Sequence, residues 1–142
     1  MLFRSQNVEW KPAAGLDKAD AAVLVGDPAK PGFYIQLNRF HPGGFSRPHY
    51  HANDRYIMVI SGTWWASTSA TYDPDHNTVP IKPGTFVTHV GREVHYDGNR
   101  ASEKQDTVVM IFGEGPGARI ECEGDKAETG PGPCTAAKAV HQ

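Results

Sequence analysis

The chain has 142 residues, of which 39% are hydrophobic and 21% charged, and its formal net charge is −2. This length suits one domain with a single core. The balanced charge, with no cluster of Lys and Arg among aromatic residues, excludes a nucleic-acid surface, and no apolar run is long enough to cross a membrane. The first residues lack the apolar stretch of a signal peptide, so we expect a cytoplasmic protein. An exported protein whose signal peptide had been removed would give the same sequence.

Short β-branched and aromatic runs, separated by 15 glycines and 11 prolines, predict an all-β fold. An N-terminal arm contains an extended piece at 7–11, and Ser61-Gly62 is typical of a hairpin turn. No segment shows helical periodicity. We predict one domain over residues 1–122, followed by a Gly/Pro-rich tail at 123–142. The predicted strands cover residues 21–26 (a buried strand), 33–41, 56–60, 63–68, 79–81, 85–90, 93–96, 107–112 and 118–122.

The chain contains two cysteines, Cys122 and Cys134. Their spacing fits no zinc-binding signature. In an exported protein they could form a disulfide, whereas in the cytoplasm they would be two ordinary thiols. The missing signal peptide favours thiols.

Two histidines, His49 and His51, are separated by one residue. In an extended strand this spacing places both imidazoles on the same face, where they can bind one divalent metal ion. A third histidine, His95, lies in a second stretch that is punctuated in the same way by turn residues. Alternation along the strand that follows the first pair places Arg55, Ile57 and Val59 on one face.

These two stretches resemble the motifs of the cupin superfamily, in particular small single-domain bacterial cupins, over a motif core at residues 43–99. Gly43 precedes His49 by the spacing of the first motif, and Gly62 stands at its closing glycine. The separations from Gly84 to His95 and from His95 to Asn99 match the second motif. The resemblance implies a jelly-roll, or double-stranded β-helix, barrel. It also implies a homodimer formed through the N-terminal arm and an outer sheet.

Arg55 occupies the position where the cupin motif has a glutamate ligand. An arginine about 5 Å from a divalent ion would be repelled by roughly 6–7 kcal/mol at an effective dielectric constant near 20. Arg55 therefore either turns aside to pair with Asp54 or Glu93, or holds the carboxylate or enolate of a ligand, or no metal binds. Asp54 could supply the missing oxygen, although it is one residue out of phase.

We expect His49, His51 and His95 to bind a divalent transition metal, with iron favoured and zinc, manganese, nickel or copper as alternatives. The resemblance implies an enzyme of the three-histidine dioxygenase type that acts on a small oxygenated or anionic substrate, with Arg55 offsetting charge on the substrate. Zinc, nickel or manganese would favour a lyase or isomerase instead. A binding or sensing protein in which Arg55 holds an anion, and a metal-storage protein, are further alternatives.

Two groups of side chains complete the expected site. His89 is either a general base beside the metal or a structural histidine. Alternation sends Trp64 into the barrel, whereas Tyr50 and Tyr96, next to inward histidines, should point outward. The predicted walls of the substrate pocket are Arg55, Ile57, Val59, Trp64 and Phe86.

Overall fold

The computed structural model describes residues 7–122 and Cys134. Over residues 7–122 every regular element longer than a single turn is a β-strand, so the all-β prediction is confirmed. The strands in chain order are β1 (Lys11–Pro12), β2 (Ala19–Val25), β3 (Gly32–Phe40), β4 (His49–Tyr50), β5 (Arg55–Ser61), β6 (Trp64–Ser67), β7 (Val79–Ile81), β8 (Phe86–His89), β9 (Tyr96–Gly98), β10 (Thr107–Gly115) and β11 (Ile120–Glu121).

The strands form one large sheet and two small ones. The large sheet is antiparallel and has the order β1-β2-β3-β10-β5-β8, while the small sheets have the orders β7-β6-β9 and β11-β4. Trp64 on β6 belongs to the same buried cluster as Ile57 on β5 and Ile111 on β10. The three-stranded sheet therefore faces the six-stranded sheet across a common interior.

Alternation along β5 and β10 decides which side chains enter this interior. Ile57 and Val59 are fully buried, whereas Tyr56, which precedes them on the strand, is exposed. Val109 and Ile111 on β10 are buried in the same way. Each such buried aliphatic side chain contributes about 1.5–3 kcal/mol. The prediction that Arg55, Ile57 and Val59 point inward from the same face of β5 agrees with the structure.

The turn at Ser61-Gly62 does not form the predicted hairpin. Strands β5 and β6 on its two sides belong to different sheets, so the turn is a corner at which the chain crosses the interior. Gly62 has φ +74°, and a Cβ there would collide with the carbonyl oxygen of Asp106. This close approach requires glycine at residue 62. The predicted turn is therefore present, but the predicted pairing of the two strands beside it is wrong.

Several predicted boundaries also differ. Strand β9 begins at Tyr96 instead of residue 93, and β1 covers Lys11–Pro12 instead of residues 7–11. Strand β2 is not buried throughout, because Val23 and Val25 are about half exposed. Register shifts beside these two residues indicate an irregularity in the pairing of β2 with β3.

The predicted C-terminal tail lies outside the described residues, apart from Cys134. Cys122 and Cys134 form a disulfide with a Cα–Cα distance of 5.4 Å, so the disulfide alternative is the one observed. Both cysteines are buried in a cluster with Tyr50 and Val94. Among the described residues, no helix is long and apolar enough to cross a membrane.

Candidate metal centre

His49, His51 and His95 meet in the barrel interior. Strand β4 places His49 opposite His95, where the two backbones exchange hydrogen bonds of 3.0 and 2.9 Å. All three side chains are buried, and their ring centroids lie 4.4–5.3 Å apart. One potential ligand atom from each ring lies within 4.8 Å of the others. The structure therefore brings the three predicted metal ligands together.

Backbone carbonyls fix the orientation of each ring. Nδ1 of His49 lies 2.6 Å from the carbonyl oxygen of Arg47, and Nδ1 of His95 lies 3.1 Å from that of Glu93. Nδ1 of His51 lies 3.1 Å from the carbonyl oxygens of both Gly117 and Ala118. A carbonyl oxygen only accepts hydrogen bonds, so Nδ1 carries the hydrogen and the lone pair of each neutral ring is on Nε2.

Burial keeps these rings neutral. Desolvation, together with the nearby Arg55 guanidinium, lowers the pKa of His51 to about 2 and that of His95 to about 3. Burial also lowers the pKa of His49 well below its usual value, with the neighbouring histidines adding to the shift. Neutral imidazole is the form that binds metals.

The residues fit a divalent transition-metal ion. The Nε2 atoms of His51 and His95 are buried and have no hydrogen-bond partner. An unpartnered buried acceptor is costly, and imidazole nitrogen is a good ligand for iron, zinc, manganese, nickel and copper. A second group that could hold a metal consists of His89, His95 and Asp97, which shares His95 with the first.

His89 lies at the end of β8 and is buried against the same cluster. Its ring centroid is 3.7 Å from that of His95 and 5.5 Å from the Trp64 ring. Its Nδ1 is buried without a hydrogen-bond partner. Burial, with smaller effects from His95 and Arg55, lowers its pKa. The structure thus adds a fourth neutral imidazole to the predicted three.

Arg55 points into the interior and does not turn toward Asp54 or Glu93. On the neighbouring strand its register partner is His89. Its side chain lies near the Tyr34 hydroxyl and Asp97, while its Nε is buried without a partner. Burial lowers the pKa of Arg55. Asp54 is exposed and accepts a 2.7 Å hydrogen bond from the Gly91 amide, so it supplies no ligand to the cluster.

Asp97 is a site residue that the sequence analysis missed. It is buried, and its Oδ1 accepts a 3.2 Å hydrogen bond from the Trp64 indole N–H. Burial raises its pKa, and the Arg55 charge opposes that shift. Asp97 follows His95 by two residues, so strand alternation places both on one face. The same spacing rule that identified the first histidine pair could have found it.

The histidines line two cavities of different character. The first, about 270 Å³, is polar and is lined by His49, Ser46, Asn38, Arg55, Asp97 and Arg119 among others. The second, about 440 Å³, is reached by His89 and His95 and has walls that include Ala66, Val79, Ile81 and Val87. The histidine cluster is therefore in contact with a polar cavity that contains two arginines and with a second, more apolar cavity.

Three predicted pocket residues form the core, and one lies on the surface. Ile57, Val59 and Trp64 are at most 1% exposed and line neither cavity, so they support the site from behind. Phe86 is 53% exposed and stacks on Tyr56 on the outer face of the large sheet. Its assignment to the pocket was wrong, because alternation from the inward His89 makes Val87 the inward residue of β8.

Tyr50 and Tyr96 lie on the faces opposite the histidines, as expected, and both are buried there by other segments of the chain. Tyr50 packs with Val94 and Cys122. The hydroxyl of Tyr96 donates a 3.0 Å hydrogen bond to the carbonyl of Asn77, in the loop that follows β6. Both faces of the histidine strands are therefore covered.

Comparison with known proteins supports the fold. No protein-family model matches this chain, and no curated protein has a significantly similar sequence. Among solved structures, the polyketide cyclase RemF from Streptomyces resistomycificus is 17% identical, with a TM-score of 0.64 over 97% of this chain and 94% of that one. A cupin-like protein from Thermotoga maritima is 14% identical, with a TM-score of 0.61 over 82% and 89% of the two chains.

A third structural neighbour is a sugar phosphate isomerase of the cupin superfamily from Silicibacter pomeroyi. It is 21% identical, with a TM-score of 0.59 over 79% of this chain and 74% of that one. Similarity at this level of identity shows a shared fold. The predicted cupin fold is confirmed.

Proposed function

We propose that this chain, which has the cupin fold, is a metal-dependent enzyme that acts on a small carbonyl compound at His49, His51 and His95. One observation carries the proposal. The carbonyl partners of the three Nδ1 atoms leave the Nε2 lone pairs free for a ligand, one potential ligand atom of each ring lies within 4.8 Å of the others, and the Nε2 atoms of His51 and His95 are buried without a partner. Leaving a buried acceptor unpaired costs about 1–3 kcal/mol, which a bound cation would remove.

A divalent ion bound there would act as a Lewis acid toward a carbonyl oxygen and as a template for the substrate. Arg55 faces the same interior and can bind oxygen atoms that gain negative charge as the substrate enolises. His89 has an unpartnered Nδ1 beside the His95 ring, and we assign to it the transfer of the substrate proton. The apolar cavity next to His89 would hold the body of the substrate.

We favour a non-oxidative reaction, namely cyclisation, isomerisation or elimination through an enolised substrate. The four imidazoles and Arg55 support acid-base chemistry without requiring a change in the oxidation state of the metal. Two structural neighbours, a polyketide cyclase and a sugar phosphate isomerase, carry names of non-oxidative enzymes. Zinc, nickel or manganese would serve such a reaction.

The three-histidine dioxygenase is the second candidate. Three facial ligands leave adjacent positions at which a bidentate oxygen substrate could bind, provided that His89 and Asp97 stay off the metal. Iron is the metal that this chemistry would require. This candidate predicts oxygen consumption, whereas the first predicts turnover in the absence of oxygen.

Elemental analysis of protein purified without chelator tests the proposal. We expect near-stoichiometric transition metal in the parent and its loss in the His49→Ala His51→Ala double variant. A His76→Ala variant is the control, because His76 is an exposed histidine. Assays with enolisable ketones, with and without oxygen, then separate the two candidates. A parent that loads no divalent ion would contradict both and favour a binding protein in which Arg55 holds an anion.

We also propose that the protein forms a homodimer through the outer face of the large sheet. Neighbouring pairs in the register, Leu37 with Met110, Met110 with Met58 and Met58 with Phe86, form an apolar row across this face. Phe86 at the end of the row stacks on Tyr56, and these two side chains are 53% and 40% exposed. A second copy would cover this row with an identical surface.

The disulfide bears on the compartment in which the protein works. Disulfides persist mainly in oxidising compartments, so the Cys122–Cys134 bond favours the exported alternative over the cytoplasmic expectation. We therefore propose an oxidising compartment. The thiol content of protein taken from its native source tests this.

A further inference from the structure

The polar cavity beside His49 contains a cation, Arg55, that forms no ion pair with any described residue, although Asp97 lines the same cavity. Among the described residues, no ion pair includes Arg55, although its Nε is buried. Arg119, the other arginine of this cavity, has partners of its own: its Nε lies 3.4 Å from Glu121, and its Nη2 donates a 2.9 Å hydrogen bond to the Ala14 carbonyl. Arg55 is therefore the arginine of this cavity whose charge is not held in an ion pair within residues 7–122, and Asp97 is the acid that lies near it.

Metal binding would increase this imbalance. The ligands His49, His51 and His95 are neutral, so they offset none of the charge of a divalent ion. The ion and Arg55 bring three positive charges to the interior, against the one negative charge of ionised Asp97. A cupin motif with glutamate at residue 55 would supply a second negative charge and remove one positive charge. This chain therefore has no negatively charged oxygen ligand at residue 55, the position at which the cupin motif has a glutamate.

We propose that the polar cavity binds a small oxyanion of the carboxylate class together with the metal, and that this anion supplies the oxygen ligand that residue 55 does not. The inference rests on the proposed metal site. The planar guanidinium of Arg55 can hold two oxygens of a carboxylate or bicarbonate in parallel, which a lysine could not do. Ser46 and Asn38 add hydroxyl and amide groups to the walls of a cavity of about 270 Å³.

The consequence is reciprocal binding. If the anion touches both Arg55 and the metal, then the anion increases the affinity of the protein for the metal, and the metal increases its affinity for the anion by the same factor. The anion could be a free ion such as bicarbonate, or it could be the carboxylate of the substrate itself. Both sources present the same chemistry to Arg55, and the probes below distinguish them.

The test measures zinc affinity by competition with a chromophoric chelator, in buffer free of carboxylates and bicarbonate. For the parent, we expect acetate or bicarbonate to tighten zinc binding by about tenfold to a hundredfold. Acetate should also change the visible spectrum of the cobalt(II)-substituted protein, which reports ligation directly. If acetoacetate has this effect and acetate and bicarbonate do not, the anion is the carboxylate of the substrate.

Four variants make the result decisive. Arg55→Met should bind zinc with no dependence on the anion, and Arg55→Glu should bind it tightly without any anion because the strand then supplies the carboxylate. Lys104→Met removes one positive charge at an exposed position and should keep the dependence of the parent. Circular dichroism checks that each variant is folded, and Arg55→Lys, which keeps the charge but loses the fork, should show a weaker dependence.

The outcomes separate this inference from the proposed function. Equal zinc affinity of the parent with and without every anion tested would overturn the inference and leave the metal site standing. Failure of the parent to bind zinc, cobalt or iron under any condition would overturn both. Retention of the anion effect in Arg55→Met would also overturn the inference, because the anion would then bind elsewhere.

Discussion

Replacing His89 by leucine should stabilise the metal-free protein. The Nδ1 of His89 is buried without a partner, and the described residues give its side chain no hydrogen bond that the substitution would remove. Removing an unsatisfied buried group while keeping a similar volume should increase the free energy of unfolding by about 1–3 kcal/mol. For a chain of 142 residues this corresponds to an increase in Tm of about 3–10 °C.

The assay is thermal unfolding followed by circular dichroism in the presence of a chelator. His76→Leu is the control, since its side chain is 84% exposed and the change should stay within about 0.5 kcal/mol. The His89→Leu variant should still be stabilised by added zinc, because His49, His51 and His95 remain, but it should lose turnover. A metal-free variant less stable than the parent would refute the reasoning and show that His89 is a satisfied structural histidine.

Three further predictions concern other parts of the chain. The Nδ1 and Nε2 atoms of His41 lie 2.8 Å from the carboxylates of Asp106 and Asp20, which raise its pKa, so the charged ring should stabilise the fold below about pH 6.5 and lose this effect as the pH rises through its folded-state pKa. The free energy of unfolding of His41→Asn should lack this difference between pH 6 and pH 8, and a pH profile equal to that of the parent would refute the prediction. Met110→Lys places a charge at the centre of the outer apolar row and should give a monomer in light scattering; a monomeric parent would contradict the dimer. Cys122→Ser should lower the free energy of unfolding by roughly 3 kcal/mol, and reduction of the parent should do the same; denaturant curves that coincide before and after reduction would refute this.

Strand periodicity predicted most of the candidate metal centre. His49 and His51 share a face because side chains alternate, whereas His95 was identified as the third histidine from the resemblance to the second cupin motif. The inward direction of Arg55 followed from the same rule. These features depend on local geometry, which the sequence determines directly.

Most of the errors arose where contacts between residues far apart in the sequence determine the structure. Ser61-Gly62 predicts a tight turn, but the collision of any Cβ with the Asp106 carbonyl, a contact far along the chain, makes it a corner between sheets. Phe86 was placed in the pocket because of its aromatic character, although its phase relative to His89 points it outward. The partner of Arg55 could not be predicted, since Tyr34 and Asp97 reach it from other strands.

The anchoring of His51 links the metal centre to the order of synthesis. Its Nδ1 bonds to the carbonyls of Gly117 and Ala118, which follow it by 66 and 67 residues, and the β4–β11 pairing lies next to this contact. A nascent chain that ends just after His95 already contains all three ligands but lacks the acceptors that orient one of them. Assembly of the centre therefore waits for the segment that leads into β11 to dock, so the preorganised site forms only after the strands from β1 to β10 have been made.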